Sequence, residues 1–136
     1  MLFRSQSTAQ AQLQFLQRLI EMLRSTSFSD RNKAATTLVS MSERRDAKLL
    51  NAIREKAADQ ITEMARWKSP EYALPAYVLL GRSAGIEEKR LRDAWTAGNR
   101  EAIITEATAA IKGNKKLFTG VPWPSGVQSA QQDRQK

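Results

Sequence analysis

The sequence of 136 residues predicts an all-α fold, a short stack of about six antiparallel helices followed by an irregular tail. Three observations support this fold class. Apolar residues recur at steps of three and four along most of the chain, which is the period of an amphipathic helix. Recognisable helix-start signals precede several of these stretches. No segment carries the strand pattern of alternating apolar and polar residues.

The first predicted helix covers about residues 8–24. Ser7 and Gln10 fit a capping box at its start, and the residues behind them form an apolar stripe that comprises Leu13, Phe15, Leu16, Leu19, Ile20 and Leu23. The second helix is expected to start at Ser29, whose hydroxyl would cap it. Asp30 then lies in the first turn, where an acidic side chain suits the positive end of the helix.

The third predicted helix is the longest. It runs without a break from Asp46, its expected N-cap, to about Trp67. Its periodicity divides it into an apolar side and an exposed, charged side. The residues expected on the exposed side are Lys48, Arg54, Glu55, Asp59, Glu63 and Arg66.

The fourth helix has the strongest start signal, because Ser69 stands at the N-cap position and Pro70 follows at the first helical position. Pro75 lies inside this helix, which predicts a kink or a loosened first turn. Gly85 is expected to end it as a positive-φ residue.

The fifth helix is short, about residues 87–97, and the sixth covers about residues 99–112. Two opposite-charge pairs four residues apart, Glu88–Arg92 and Lys89–Asp93, are predicted on the exposed side of the fifth. The periodicity ends there. We therefore divide the chain into a helical domain over 1–112 and an irregular or disordered tail over 113–136.

Composition excludes several kinds of chemistry. The chain contains neither Cys nor His. It therefore has no disulfide, no thiolate nucleophile and no Ser-His-Asp arrangement, and a zinc site is not expected. No nucleotide-binding glycine motif occurs. We expect no cofactor, no metal and no enzymatic activity.

The net charge of +8 is unevenly distributed. Residues 1–45 contribute +4, residues 46–112 contribute +1 and residues 113–136 contribute +3. Basic ends could attract nucleic acid or anionic lipid, but a solvated surface explains them as well. No apolar run is long enough to span a membrane. Because the start of the sequence lacks a secretory signal, a cytoplasmic location is favoured if that start is the native N-terminus, and the compartment is otherwise unknown.

A repeat of about forty residues is indicated by the two helix starts at Ser29 and Ser69. With this shift, Ala34 corresponds to Leu74, Leu38 to Val78 and Val39 to Leu79. A two-helix unit of about 40–47 residues is the period of HEAT and armadillo repeats. A compact six-helix bundle with regular loops is the structural alternative.

The segments that begin at Phe28, Met64 and Leu79 (FSDRNKAATTLV, MARWKSP and LLGRSAG) resemble bacterial HEAT-like repeats. The resemblance covers about residues 15–112. It implies an α-solenoid that binds partners along a curved face, and it implies no particular partner. Pro75 and the short fifth helix depart from the family pattern. Because about three repeats are usually needed for stability, the outer helices would cap the stack, or the chain would form an oligomer or part of a longer solenoid.

The predicted partner-binding face is the ridge formed by residues 46–67 and 99–112. Its candidate contact residues are Arg54, Glu55, Asp59, Arg66 and Trp67. A Trp between two cations could stack on an aromatic ligand or a base, or it could cover the edge of the core. Other candidates are a core position for Trp95, a basic strip at Arg44-Arg45, and a docking motif in the tail at Pro122-Trp123-Pro124.

The function that these features favour is a non-catalytic HEAT-like scaffold or adaptor for protein–protein interaction. The alternative is a HEAT-like module that binds nucleic acid through basic surface residues. An enzyme such as a HEAT-like bilin lyase is the third hypothesis, and the absence of His and Cys disfavours it.

Overall fold

A computed structural model describes residues 2–113, with side chains from residue 10 onward. The predicted tail and its Pro122-Trp123-Pro124 motif lie outside the described residues. Within that range every regular element is a helix, and these are α1 (Leu2–Leu23), α2 (Phe28–Met41), α3 (Ala47–Lys56), α4 (Ala58–Ala65), α5 (Pro70–Ser83), α6 (Glu88–Thr96) and α7 (Arg100–Gly113). The all-α prediction is therefore confirmed.

The third predicted helix is broken in two, so the expectation of one long helix was wrong. The break lies at Ala57, whose backbone adopts φ −139° and ψ 15° between α3 and α4. Neither Gly nor Pro marks this position in the sequence. The two halves pack in different directions, since α3 contacts α1 and α5 whereas α4 contacts α5 and α7. Tertiary packing accounts for the break.

The helix starts agree with the sequence in two cases and differ in two. Asp46 caps α3 by accepting a hydrogen bond from the Leu49 N–H at 3.1 Å, and Ser69 precedes α5 as predicted. The N-cap of α2 is Ser27 instead of Ser29, because the Ser27 hydroxyl accepts from the Asp30 N–H. Helix α1 begins at Leu2, so Ser7 lies within it and does not cap it.

Two glycines end helices in the left-handed conformation, Gly85 with φ 82° and Gly98 with φ 75°. Behind each, the next residue donates a hydrogen bond back to the carbonyl five positions earlier. These are the bonds of Ile86 to Gly81 at 2.9 Å and of Asn99 to Ala94 at 2.8 Å. Both ends are therefore Schellman caps. Pro75 lies inside α5, and the helix continues through it.

The structure contains an internal repeat, and its spacing is 42 residues, not the predicted forty. The N-caps Ser27 and Ser69 differ by 42 positions (69 minus 27), and α2 and α5, which follow them, are each 14 residues long. The same shift places α3 on α6 and α4 on α7, and it aligns the break at Ala57 with the connection at Asn99. The forty-residue register was wrong because it started from Ser29.

Burial supports the 42-residue register. It pairs fully buried residues of α2 with buried residues of α5, namely Ala34 with Ala76, Ala35 with Tyr77 and Leu38 with Leu80. The forty-residue register instead pairs Ala34 with Leu74, which is 38 % exposed. Each repeat consists of three helices.

The second half of α1 extends the same pattern backwards. Buried residues recur in α1, α4 and α7 at intervals of 42 positions. One series is Leu19, Ile61 and Ile103, and the other is Leu23, Ala65 and Ala107. This half of α1 therefore corresponds to the third helix of a repeat. The first half of the predicted α1 stripe differs, since Leu13 and Phe15 are exposed at 54 % and 46 %.

The core is built around α5, which packs against α2, α3, α4, α6 and α7. Corresponding helices of the two repeats lie against each other, α2 on α5 and α4 on α7. Tyr77 of α5 is almost fully buried, and its hydroxyl donates to the carbonyl of Leu91 at 2.7 Å. A buried phenol with a satisfied hydroxyl costs little to bury.

A polar network centred on the buried Arg82 joins α2, α5 and α6 at one end of the two repeats. Arg82 of α5 is 8 % exposed and donates to the Val39 carbonyl and the Ser42 hydroxyl, both at 2.8 Å. It also holds the Glu88 carboxylate through two hydrogen bonds, and Arg45 donates a third to Glu88 at 3.0 Å. These guanidinium groups, above all that of Arg82, lower the pKa of Glu88 to about 2.

Because of this network, one predicted ion pair and one predicted basic patch are absent among the described residues. Glu88 pairs with Arg82 and Arg45, not with Arg92, whereas Lys89 and Asp93 do pair at 2.7 Å as predicted. Arg45 also donates to the Ile86 carbonyl. Arg45, which follows α2, thus bonds to residues at the start of α6 and does not form an open basic strip with Arg44.

Candidate partner-binding face

Of the partner-binding face predicted over residues 46–67 and 99–112, α4 and α7 lie side by side, whereas α3 packs on α1 and α5. Asp59, Glu63 and Arg66 are exposed on α4, and Glu101 and Thr105 are exposed on α7. We call these five residues the α4–α7 face. Since α4 and α7 occupy the same position in the two repeats, Asp59 corresponds to Glu101 and Glu63 to Thr105. The repeat therefore presents the same side of each third helix to solvent.

A bidentate ion pair joins the two helices of this face. Arg66 Nε lies 3.1 Å from one oxygen of Glu101 and 3.2 Å from the other, and a terminal nitrogen of Arg66 lies 2.7 Å from the nearer one. The hydrogen bonds raise the pKa of Arg66 and lower that of Glu101. Both side chains are about half exposed, so the pair contributes little to stability. Its main effect is to fix the orientation of two charged groups.

Three aromatic rings meet at the end of α4. Phe28 at the start of α2 stacks on Trp67 with 5.2 Å between ring centroids, and it meets Tyr72 of α5 edge-on at 5.0 Å. We call Phe28, Trp67 and Tyr72 the aromatic cluster. Phe28 is 50 % exposed and Tyr72 is 37 % exposed, while Trp67 is half-buried against the core. The cluster is therefore both anchored and accessible.

Arg31 connects the aromatic cluster to the α4–α7 face. Its guanidinium lies 5.4 Å from the centre of the Trp67 ring, within the range of a cation–π contact. One terminal nitrogen donates to the Gln60 carbonyl at 3.2 Å and to the Glu63 carboxylate at 3.1 Å. Trp67 and Glu63 are thus held by one largely buried side chain.

The five residues predicted as contacts have different surroundings. Arg66 and Trp67 lie together at the end of α4, and Asp59 and Glu55 are exposed. Arg54 was expected on the exposed side but is only 4 % exposed. Its guanidinium donates to the Ser83 carbonyl at 2.6 Å and to the side chain of Asn51. Burial lowers its pKa to about 9, so the group stays charged at neutral pH.

The sequence reasoning missed Phe28, Arg31 and Tyr72 as members of the site. Phe28 and Tyr72 are adjacent only because α2 and α5 start side by side, which the 42-residue spacing of their caps would have indicated. Trp95 was expected in the core. It is half-buried there, packed on Tyr77 at 4.8 Å and covered by the guanidinium of Arg100 at 5.3 Å.

Within residues 2–113, no group of three or more acidic side chains is arranged to hold a metal ion. No helix in this range has the length and apolar character needed to cross a membrane. Comparison with known protein families, curated proteins and solved structures finds no match for this chain.

Proposed function

We propose that the chain is a non-catalytic scaffold of the HEAT or armadillo type that binds a protein partner through the α4–α7 face and the aromatic cluster. Three-helix units with a spacing of 42 residues support the repeat assignment, because armadillo-type repeats have two or three helices in about 40–47 residues. Corresponding helices that pack on each other, α2 on α5 and α4 on α7, support a stacked arrangement.

The observation that carries the proposal is the aromatic cluster. Trp, Tyr and Arg are the side chains that contribute most often to the energy of protein interfaces, and Trp67, Tyr72 and Arg31 meet here in one place. Ring stacking and the hydrogen bonds of Arg31 hold these side chains before a partner arrives. Less side-chain entropy is then lost on binding.

A protein partner fits this face better than nucleic acid does. Asp59, Glu63 and Glu101 place carboxylates along it, and these would repel phosphate. Arg31 and Arg66 already pair with two of those carboxylates. A mixed, patterned surface of this kind favours specific protein recognition, whereas nucleic-acid binding relies on cations that can neutralise phosphates.

The proposal is tested by affinity capture from a lysate of the source organism, with Phe28→Ser as the variant and Leu74→Ser as the control. Both residues are exposed apolar side chains, at 50 % and 38 %, but Leu74 lies outside the aromatic cluster. The captured protein is then purified and titrated against each form. We expect Phe28→Ser to weaken binding at least about tenfold, with Leu74→Ser close to the original chain. Equal effects of the two substitutions would contradict the proposal.

Nucleic acid is tested separately with a fluorescent duplex at low and moderate salt. Binding that weakens steeply with salt and is lost in an Arg66→Gln, Lys68→Gln variant would support the alternative function. Absence of binding at low salt, together with a captured protein that requires Phe28, would favour the scaffold.

A further inference from the structure

An apolar groove lies at the opposite end of the helical stack from α7. It has a volume of about 610 Å³ and is bordered by residues 10–16 of α1, by the connection from α2 to α3 and by the first turn of α3. Its apolar lining includes Leu13, Phe15, Met41 and Leu49. Leu13, Phe15 and Met41 are 54 %, 46 % and 38 % exposed, although side chains of this size are usually buried in a core.

The internal repeat explains why this groove is open. Phe15 of α1 corresponds to Ala57, the residue at which α3 and α4 meet at an angle. At the corresponding place one repeat later, α3 packs on α5. Arg54 of α3 donates a hydrogen bond there to the carbonyl of Ser83, the residue that corresponds to Met41. Helix α1 continues without interruption through Phe15. The space that α3 covers in one repeat is thus left uncovered beside α1.

The missing element is therefore a short helix with an apolar side, by analogy with α3. Residues 10–16 of α1 form a helical segment that carries three large apolar side chains, Leu13, Phe15 and Leu16. Residues 10–15 are exposed at every position, and so on all sides of the helix, and they project from the part of α1 that packs on α2. Helices of this length are only marginally stable in water without tertiary contacts. No described helix of the same chain covers the groove, and residues 10–15 stay exposed in the single chain.

Charge also favours a second copy as the occupant. Residues 1–45 contribute +4 of the net charge, so two copies that approach through this part of the chain are repelled by their basic side chains. Residues 5–17, in contrast, contain no charged side chain. Residues 10–16 of α1 thus lie in a segment where two copies can approach without repulsion.

We propose that two copies of the chain associate through this end, with residues 10–16 of α1 of each copy lying in the groove of the other. The contact is isologous, since the same residues supply the inserted helix and the groove that receives it. Leu13 and Phe15 lose their exposure to water, and the open end of each stack is covered, as the ends of repeat arrays require. This proposal does not depend on the α4–α7 face.

Sedimentation velocity of the full chain, from about 1 µM to about 200 µM, tests the proposal, because a reversible dimer responds to concentration. We expect a species of twice the chain mass of 15.3 kDa at the upper end. Leu13→Gln with Phe15→Gln is expected to raise the dimer dissociation constant at least about tenfold while the helical circular dichroism stays the same. Leu74→Gln is the control with an exposed leucine elsewhere.

Cross-linking then locates the contact, because the chain has no cysteine of its own. Gln12→Cys places a thiol beside the groove, and Lys112→Cys places one near the end of α7. We expect oxidation to link two copies through Cys at position 12 much faster than at position 112. A chain that stays monomeric at every concentration overturns the proposal. So does a dimer that the double variant leaves intact or that cross-links equally well at both positions.

Discussion

Replacing Glu88 with Gln is expected to destabilise the domain by about 2 kcal/mol at neutral pH. The Glu88 carboxylate accepts hydrogen bonds from Arg82 and Arg45, and Arg82 is buried between α2, α5 and α6. The neutral amide keeps the shape but leaves two guanidinium groups without their counter-charge. Hydrogen bonds to charged groups contribute about 1.5–3 kcal/mol.

The shifted pKa of Glu88 gives the same magnitude by a second route. A decrease from 4.5 to about 2 corresponds to about 3 kcal/mol at ~1.4 kcal/mol per pKa unit. Solvent screening of a side chain that is 42 % exposed reduces this to about 2 kcal/mol. Because the folded-state pKa is lower than the unfolded one, the contribution is complete above about pH 4.5 and is lost as the pH falls toward 2.

Urea unfolding followed by circular dichroism, at pH 7 and at steps down to about pH 3, measures both effects. The original chain is expected to lose more stability over this interval than Glu88→Gln does. Glu106→Gln is the control, because Glu106 has a similar exposure and pairs with Arg90 at the surface. That control is expected to change stability by less than about 0.5 kcal/mol. Equal losses in both variants, or the same pH dependence with and without the Glu88 carboxylate, would show that the Glu88 ion pairs do not supply this stability.

Two further predictions use the same unfolding measurement. Gly81→Ala is expected to destabilise the domain by about 1–2 kcal/mol, because a Cβ at Gly81 would stand 2.2 Å from a methyl carbon of the buried Leu91. This clash outweighs the better helix propensity of Ala, and a gain in stability would contradict it. Ser27→Ala is expected to cost about 1 kcal/mol through loss of the cap to Asp30, and Ser69→Ala only a few tenths, since the Ser69 side chain makes no cap bond; equal costs would contradict the assigned caps.

Local signals in the sequence were sufficient to predict most of the helices. The cap at Asp46, the start at Ser69-Pro70, the end at Gly85 and the pair Lys89–Asp93 all agree with the structure. Each depends on groups within about five positions of one another in the chain. Backbone hydrogen bonding and side-chain reach along one helix decide such features. Neighbours in sequence are then enough to predict them.

The candidate site was only partly predictable. Trp67 and Arg66 were identified because a Trp between two cations could stack on an aromatic ligand or a base, and they do lie together at the end of α4. Phe28 and Tyr72 join Trp67 only through the packing of α2 against α5. Arg54 looked exposed because its position in the helical pattern is polar, yet the turn of α3 onto α5 buries it.

The helical class, most helix boundaries and the absence of thiol and imidazole chemistry thus follow from the sequence alone. The break at Ala57, the partners of Glu88 and the exposure of Leu13 and Phe15 depend on how the helices pack. The reason is physical. These features depend on which helix lies opposite, and the residues that meet there, such as Ser42 and Arg82, are about forty positions apart in the chain.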